Sequence, residues 1–393
     1  MLKAVIFDMD GVIIDSEPQH ARAALRVLNR HGANADYDYC SSFIGSSTKV
    51  FTQDIMKRFP LSISLEDLLK EMNLEKKKIL KEEGYAIIEG ITDLIKKLYH
   101  AGIRLAIASS SSPTEIENTV KALHIKKYFT KLISCAHVEH PKPAPDSFLL
   151  ALKELGVSPQ ETVVVEDSCF GSQAAKAAGI PCVGYLNPHS GNQDLSAANV
   201  LLESFVSIDE RFFHNILCRS LGKPVMIADT KRLFIRELEP KDIKEIYQIY
   251  KDPDIRQYIP DIDDYLEEEM KKQEAYIKNV YSFYGYGMWG IFSKTSKKLI
   301  GKCGIENLEV DGKNEIVLSY LLDTNHWGYG YALECCRAVF TYAKEELDIK
   351  RIVAVIDKKN TRSQNTAKNL GMTIEKEIPY KGHDCYLYSI QLD

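Results

Sequence analysis

Three short apolar runs in the first half of the chain each stop on polar residues: Ala4 to Phe7 ends at Asp8, Leu105 to Ala108 at Ser109, and Val163 to Val165 at Glu166-Asp167. Unbroken apolar runs of this length predict strands buried on both faces of a parallel sheet, and the reactive groups of open α/β sheets gather where such strands end. Residues 16 to 83 instead place apolar positions at helical spacing, notably in Glu17 to Arg30 and Leu65 to Lys81. A helix over Ile208 to Leu217 gives way to Ser220-Leu221-Gly222-Lys223-Pro224, which breaks regular structure. Beyond it the pattern changes. A strand over Arg232 to Arg236 opens a segment that is helical from Pro240, is interrupted at Asp252-Pro253-Asp254, and resumes through Tyr265 to Tyr281. Strands follow at Tyr286 to Phe292, Leu299 to Ile305 and Ile316 to Leu322, then a long helix over Tyr331 to Glu346 and a strand over Arg351 to Ile356. The pattern predicts an α/β unit in residues 1–217, a linker in 218–231 and an α+β unit in 232–393, with no internal repeat.

Length supports that division, because 393 residues exceed what one hydrophobic core usually holds. With 45% hydrophobic and 27% charged residues the composition is that of a globular protein. A net charge of −5 argues against dedicated nucleic-acid binding. No apolar run approaches the roughly 18 residues of a membrane span, and the first is too short for a signal peptide, so a cytoplasmic enzyme without membrane partners is expected. Nine cysteines, an odd number with no Cys-x-x-Cys pair, read as reduced thiols rather than a disulfide framework or a zinc site. Cys335 and Cys336, adjacent on a predicted helix, are expected to point in different directions and not to face one another.

Asp8-Met9-Asp10-Gly11 carries the chemistry of the first unit. A carboxylate can attack phosphorus to give an aspartyl-phosphate, provided the phosphoryl charge is neutralised and the leaving oxygen is protonated. Asp8 is the candidate nucleophile and Asp10 the general acid, later the base for water. Crowded carboxylates call for a hard cation with oxygen ligands, and Mg²⁺ suits phosphate chemistry, with Asp8 and Asp167 as its side-chain ligands. Ser109 can donate to a phosphoryl oxygen, and Lys142, set among the prolines of Pro141-Lys142-Pro143-Ala144-Pro145, supplies positive charge.

Together, Asp8-Met9-Asp10-Gly11-Val12, Ser109, Lys142-Pro143-Ala144-Pro145-Asp146 and Val165-Glu166-Asp167-Ser168 with Gly171 resemble the four motifs of the haloacid dehalogenase-like phosphotransferase superfamily. The resemblance spans about the first 217 residues. It implies a Rossmann-like core, a helical cap over about 16–83, and a metal contact from the Asp10 peptide carbonyl, so that Asp10 counts as catalytic and metal-binding. Asp15-Ser16-Glu17-Pro18, with His20 two residues on, is similar to the group of sugar-phosphate phosphatases and β-phosphoglucomutase. On that footing Asp15, His20, Ser110 and Glu166 are expected around a small phosphorylated metabolite. A mutase must hold a second phosphate in its cap, normally with an arginine. The corresponding Gly45-Ser46-Ser47-Thr48-Lys49 offers lysine, which lacks the bidentate fork, so phosphatase is expected ahead of phosphomutase.

In the second unit the turn Asn325-His326-Trp327-Gly328-Tyr329-Gly330-Tyr331-Ala332 lies between a strand and the long helix. Small residues there let backbone N–H groups approach an anion, and the helix N-terminus adds partial positive charge, which suits a pyrophosphate. It is neither a P-loop nor a complete dinucleotide fingerprint. The turn resembles the coenzyme A loop of the GNAT acetyltransferases, especially the ribosomal-protein N-acetyltransferase branch, and Leu233-Phe234-Ile235-Arg236, Asn360-Thr361-Arg362-Ser363 and Leu370-Gly371-Met372 agree with it. The resemblance covers about residues 231–393. It implies that Trp327, Gly328, Tyr329, Gly330, Tyr331 and Ala332 bind acetyl-CoA through its pyrophosphate, with Asn360 and Ser363 on the cofactor's arm, and that the acceptor is an amine of a small molecule or a protein N-terminus. Ala367 stands where many such enzymes carry an acidic tyrosine, so Ser363 substitutes or the thiolate leaves without direct protonation. Glu306, Glu315 and Glu377 are the candidate general bases. The alternative for the whole chain is a phosphomutase fused to a non-catalytic acyl-CoA-sensing or interaction module.

Overall fold

The computed structural model describes residues 1–43, 48–259 and 262–392, at 48–50 the backbone alone. Two compact units divide the chain, Met1–Leu221 and Gly222–Asp393.

In the first unit β1 (Ala4–Phe7), β2 (Arg104–Ser109), β3 (Lys131–Ser134), β4 (Thr162–Glu166), β5 (Cys182–Tyr185) and β6 (Val200–Leu202) form one parallel sheet in the order β3-β2-β1-β4-β5-β6. Side chains alternate along a strand. Val5 and Phe7 therefore enter one apolar layer with Ile91, Leu94, Leu98 and Phe213, while Ala4 and Ile6 enter another with Phe148, Ala151, Ala174 and Ala175. With both faces covered, the strand reads as an uninterrupted apolar run. Phe7 pairs with Ile107 of β2 on one side and Val165 of β4 on the other, so the carboxyl ends of the three strands lie side by side.

Helices α1 (Glu17–Arg30), α2 (Tyr37–Ser41), α3 (Thr48–Arg58) and α4 (Leu65–Glu83) form the insert after β1, around a core of its own that includes Ala24, Val27, Leu28, Ile55, Leu68 and Met72. The remaining helices of this unit are α5 (Ile91–His100), α6 (Pro113–Ala122), α7 (Asp146–Leu155), α8 (Cys169–Ala177) and α9 (Glu210–Ser220).

The second unit is built on an eight-stranded sheet of β7 (Met226–Asp229), β8 (Leu233–Arg236), β9 (Met288–Ser293), β10 (Leu299–Val310), β11 (Lys313–Leu322), β12 (Arg351–Asp357), β13 (Thr373–Tyr380) and β14 (His383–Gln391), in the order β13-β14-β12-β11-β10-β9-β8-β7. Its helices are α10 (Ile243–Tyr250), α11 (Pro253–Arg256), α12 (Leu266–Tyr284), α13 (Tyr331–Leu347) and α14 (Thr361–Asn369). Neighbouring strands are antiparallel except β11 and β12, whose parallel ladder consists of Val317 opposite Val353.

Two expectations are corrected. The segment 218–231 is not a plain linker: α9 runs to Ser220, and Met226–Asp229 is a strand paired with β8. Only Ile227 of that strand is buried, so an edge strand of four residues offers too little alternation to read. Cys335 and Cys336 do not point apart, since both sulfurs lie within 4.8 Å of each other and of Cys303 on β10. Adjacent residues on a helix are about 100° apart, and a third side chain seated over the groove between them meets both.

Candidate functional sites

The end of β1 releases Asp8 into a tight turn. Gly11 there has φ +80°, and a Cβ on it would stand 1.8 Å from Asp167 Oδ2, so only glycine lets the turn pass over that carboxylate. The turn folds back through Gly11 N–H to Ile14 O (2.7 Å), and Asn187 Nδ2 donates to Gly11 O (3.0 Å) from the loop after β5.

Lys142 is the hub. Its ammonium donates to Asp8 Oδ1 (2.5 Å), Glu166 Oε1 (2.6 Å) and Ala108 O (2.9 Å), which satisfies its three protons at the ends of β1, β4 and β2. Burial works against this charge, but the Asp8 and Glu166 carboxylates outweigh it and hold the ammonium's pKa above its ordinary value. Glu166 is fully buried and also accepts from the N–H groups of Asp167 and Ser168 and from the Ser168 hydroxyl. A Cβ on Gly171 would fall 1.8 Å from the Glu166 carboxyl carbon, which explains glycine in the first turn of α8. Glu166 thus positions Lys142 and the start of α8.

Asp10 accepts from Ser16 Oγ at Oδ1 (2.8 Å), and at Oδ2 from Ser111 Oγ (2.6 Å) and Ser109 Oγ (3.5 Å). Ser111 was not legible as a site residue. The expected Ser110 is exposed and turns its hydroxyl to Cys135 Sγ (3.9 Å), away from this cluster. Asp167 accepts from the Ser190 hydroxyl. Asp15 binds His189 Nδ1 through Oδ2 (2.5 Å), while its Oδ1 is buried with no partner. The β5 loop contributions, Asn187, His189 and Ser190, carry no motif that sequence alone would single out.

The electrostatics of this cluster fit a divalent cation. Burial, with Glu166 and Asp10 beside it, pushes the Asp8 carboxyl up to about 7 in spite of Lys142, and burial with Glu166 and Asp8 raises Asp167 well above the usual range. Asp8 and Glu166 already share the Lys142 ammonium, so Asp167 is a third carboxylate beside a single cation, and oxygen donors of this kind suit Mg²⁺.

On the cap side, Glu17 and His20 lie on α1. Burial and the Lys76 charge pull the His20 imidazole down to about 4, and its Nε2 is buried without a partner, so it is neutral at physiological pH. Burial and the Asp10 charge push Glu17 up to about 7. A carboxyl raised in this way supplies stability that is complete below its ordinary value of 4.5 and is lost as pH rises through about 7. Glu17→Gln should therefore melt progressively higher than wild type between pH 4.5 and 7. Melting curves that stay parallel across that window would exclude Glu17 as the titrating group. Gly45, Ser46 and Ser47 of the expected phosphate-discriminating stretch lie outside the described residues, as do the side chains of Thr48 and Lys49.

In the second unit Gly328 and Gly330 both have left-handed backbones, φ +81° and +76°, and Gly330 caps α13. The first N–H groups of α13, which have no intrahelical acceptor, follow directly on this turn, and no side chain caps them at Gly330. Tyr329 is exposed, and Trp327 donates its indole N–H to Leu322 O (2.8 Å) beneath the Arg362 guanidinium. Trp327 thereby pins the turn to the end of β11. Sequence reasoning missed Arg232, which donates to Glu334 Oε2 (2.6 Å) and Tyr329 O (2.8 Å), stacks on Tyr331, and lies 3.7 Å from the Cβ position of Gly330. Asn360 caps α14 by accepting from Ser363 N (3.1 Å), and Tyr320 of β11 donates to Ser363 Oγ (3.2 Å). Burial pushes the Tyr320 phenol up to about 12. The three candidate bases separate: Glu315 is paired with Arg351 and Glu377 with Lys358, whereas Glu306 accepts only the Tyr276 hydroxyl (2.9 Å) among its described side-chain partners.

Comparison with known proteins agrees with both halves. The family model described as haloacid dehalogenase-like hydrolase matches residues 5–185, and that described as acetyltransferase (GNAT) domain matches residues 232–373. The chain is 34% identical over 179 residues to a fructose-1-phosphate phosphatase of Escherichia coli, covering 46% of this chain and 94% of the relative. It is 34% identical over 183 residues to a phosphorylated carbohydrates phosphatase of Thermotoga maritima, 46% of this chain and 82% of the relative. A putative β-phosphoglucomutase from Thermotoga maritima of solved structure is 30% identical over 55% of this chain and 97% of its own, with a TM-score of 0.47.

Proposed function

The chain belongs to the haloacid dehalogenase-like hydrolases and carries a GNAT acetyltransferase domain after it, and from that premise we propose a bifunctional enzyme that hydrolyses a sugar phosphate through phospho-Asp8 and acetylates an amine from acetyl-CoA. The observation that carries the first half is the meeting of Asp8, Glu166 and the carbonyl of Ala108 on the Lys142 ammonium. A sugar phosphate is the substrate class suggested by the names of the two phosphatase relatives.

In the first step an Asp8 oxygen attacks phosphorus, while Asp10 gives its proton to the departing sugar oxygen. In the second, Asp10 takes a proton from the water that attacks phospho-Asp8, returning free phosphate. Ser16 and Ser111 hold the Asp10 carboxylate in place, and Lys142 and Ser109 face the phosphoryl oxygens. Mg²⁺, held by Asp8, Asp167 and the Asp10 carbonyl, would supply positive charge to the transferring group. His20, which is neutral, and Asp15 are the side chains proposed to contact the sugar. No helix among the described residues is long and apolar enough to cross a membrane, and none of the nine described cysteines forms a disulfide, which supports a reducing, cytoplasmic setting.

In the second unit the turn 328–332 receives the pyrophosphate of acetyl-CoA, Glu306 takes the proton of the amine, directly or through water, and Tyr320 with Ser363 faces the leaving thiolate. Arg232→Ala should weaken acetyl-CoA binding roughly tenfold, the scale of one lost charge-assisted contact. Calorimetry on the intact chain reads this, and unchanged affinity would remove Arg232 from the site.

The proposal is tested by following phosphate release from a panel of sugar phosphates with and without Mg²⁺, and product acetylation with an amine panel. Metal-dependent release and acetylated product are expected. Glucose 6-phosphate formed from β-glucose 1-phosphate would instead make the first unit a mutase, and failure to bind any acyl-CoA would end the acetyltransferase reading.

A further inference from the structure

We propose that Cys303, Cys335 and Cys336 form a binding site for a thiophilic d¹⁰ cation of the copper(I) class in the second unit. The three sulfurs lie within 4.8 Å of one another, Cys303 and Cys336 at 3.7 Å, and each of the residues is fully buried. An equilateral triangle with edges between those values has its centre roughly 2.1 to 2.8 Å from each corner, which spans the usual metal–thiolate bond of about 2.3 Å.

The donor set selects the ion. Among the described residues no histidine, carboxylate or further cysteine joins the group, so it offers three soft ligands and no fourth. Closed zinc sites take four ligands in a tetrahedron, and hard cations take oxygen. Thiolates alone select soft ions, and a three-coordinate soft ion is what a sulfur triangle holds. The pocket is rigidly built. Cys303 lies on β10 directly across from Trp289 on β9 and Tyr320 on β11, so the three share one face, and Cys335 and Cys336 reach it from the second turn of α13. The Cys335 thiol donates to Ala332 O (3.2 Å), which fixes its rotamer toward the triangle. Binding exchanges protons for metal: each thiol that coordinates releases its proton to solvent as its sulfur–copper bond forms, and neither sulfur nor copper changes oxidation state.

The test titrates the reduced intact chain, without oxygen, with Cu(I) supplied as its acetonitrile complex against a colorimetric Cu(I) chelator. One equivalent per chain should be retained, with a sulfur-to-copper charge-transfer band. Trp289 is one of two tryptophans, so in a Trp327→Phe background its fluorescence should be quenched on loading. Cys303→Ala and Cys336→Ser should each lose the retained equivalent, and Cys385→Ala, a buried cysteine outside the group, should keep it. X-ray absorption of the copper-loaded wild type covers the case in which a cluster variant does not fold, and should show three sulfur neighbours at about 2.3 Å. No retained equivalent in wild type, retention by a Cys303→Ala/Cys336→Ser double variant, or a shell of nitrogen and oxygen neighbours would each overturn the site.

Discussion

Asp8→Asn should abolish Mg²⁺-dependent phosphate release by roughly 10⁴-fold or more, the scale on which losing one member of a nucleophilic set is felt. The substitution keeps shape and removes the charge proposed to attack phosphorus, at a position also proposed as a metal ligand. The fold should survive, because Lys142 keeps its bonds to Glu166 and the Ala108 carbonyl and the replacement amide still offers an oxygen in the place of Asp8 Oδ1. Acetyl transfer by the second unit should be unaffected. Rapid-quench trapping of a phosphorylated enzyme in wild type and its absence in Asp8→Asn would complete the case. Turnover that survives the substitution would mean that water, not Asp8, attacks phosphorus.

What was legible in the sequence, and what was not, follows from how each residue reaches its site. Asp8, Ser109, Glu166 and Asp167 end or directly follow strands whose apolar runs are unbroken, so position along the chain already gives position in space. Parallel pairing of β1 with β2 and β4 places all four at one sheet edge. Ser111, Asn187 and Ser190 act from loops, where no periodicity ties sequence to direction, and the side chain of each donates one hydrogen bond to the site, of a kind that many exposed serines and asparagines also make. Ser110 and Ser111 differ by one residue and point to opposite partners, a distinction that only the backbone after β2 decides.

In the second unit the glycine turn was legible because left-handed backbone demands glycine at Gly328 and Gly330. Arg232 was not, since it works across the fold, from the start of β8 to a turn 97 residues on. The hairpin of β13 and β14 also escaped, because most of β13 is exposed or half-buried and its irregular register blurs alternation. The cysteine triangle shows the same limit from the other side. Residues 335 and 336 look divergent on a helix until β10 is placed against them with Cys303.

Lys142→Met carries the second large effect, this time on stability as well as turnover. Lys142 is buried to 5% side-chain exposure between Asp8 and Glu166, whose side chains are exposed by 10% and 1%. Methionine matches its length and packs against Phe148, over whose ring the ammonium sits at 4.9 Å, so volume is not the issue. The loss is of charge: two carboxylates stay buried with no cation between them, and breaking a buried pair in this way costs about 3 to 5 kcal/mol. For a unit of this size that lowers the melting temperature by on the order of 10 °C. The direction has a cross-check, because neutralising one carboxylate should relieve the strain the variant creates. Asp8→Asn in the Lys142→Met background should recover part of the lost stability, although the same change adds no activity to either protein. Additive effects of the two substitutions would mean that Asp8 and Lys142 do not interact. A Lys142→Met protein as stable as wild type at neutral pH would show that the carboxylates are neutralised without it, by a proton on Asp8 or by another cation, and the claim that this ammonium holds the three strand ends together would fall.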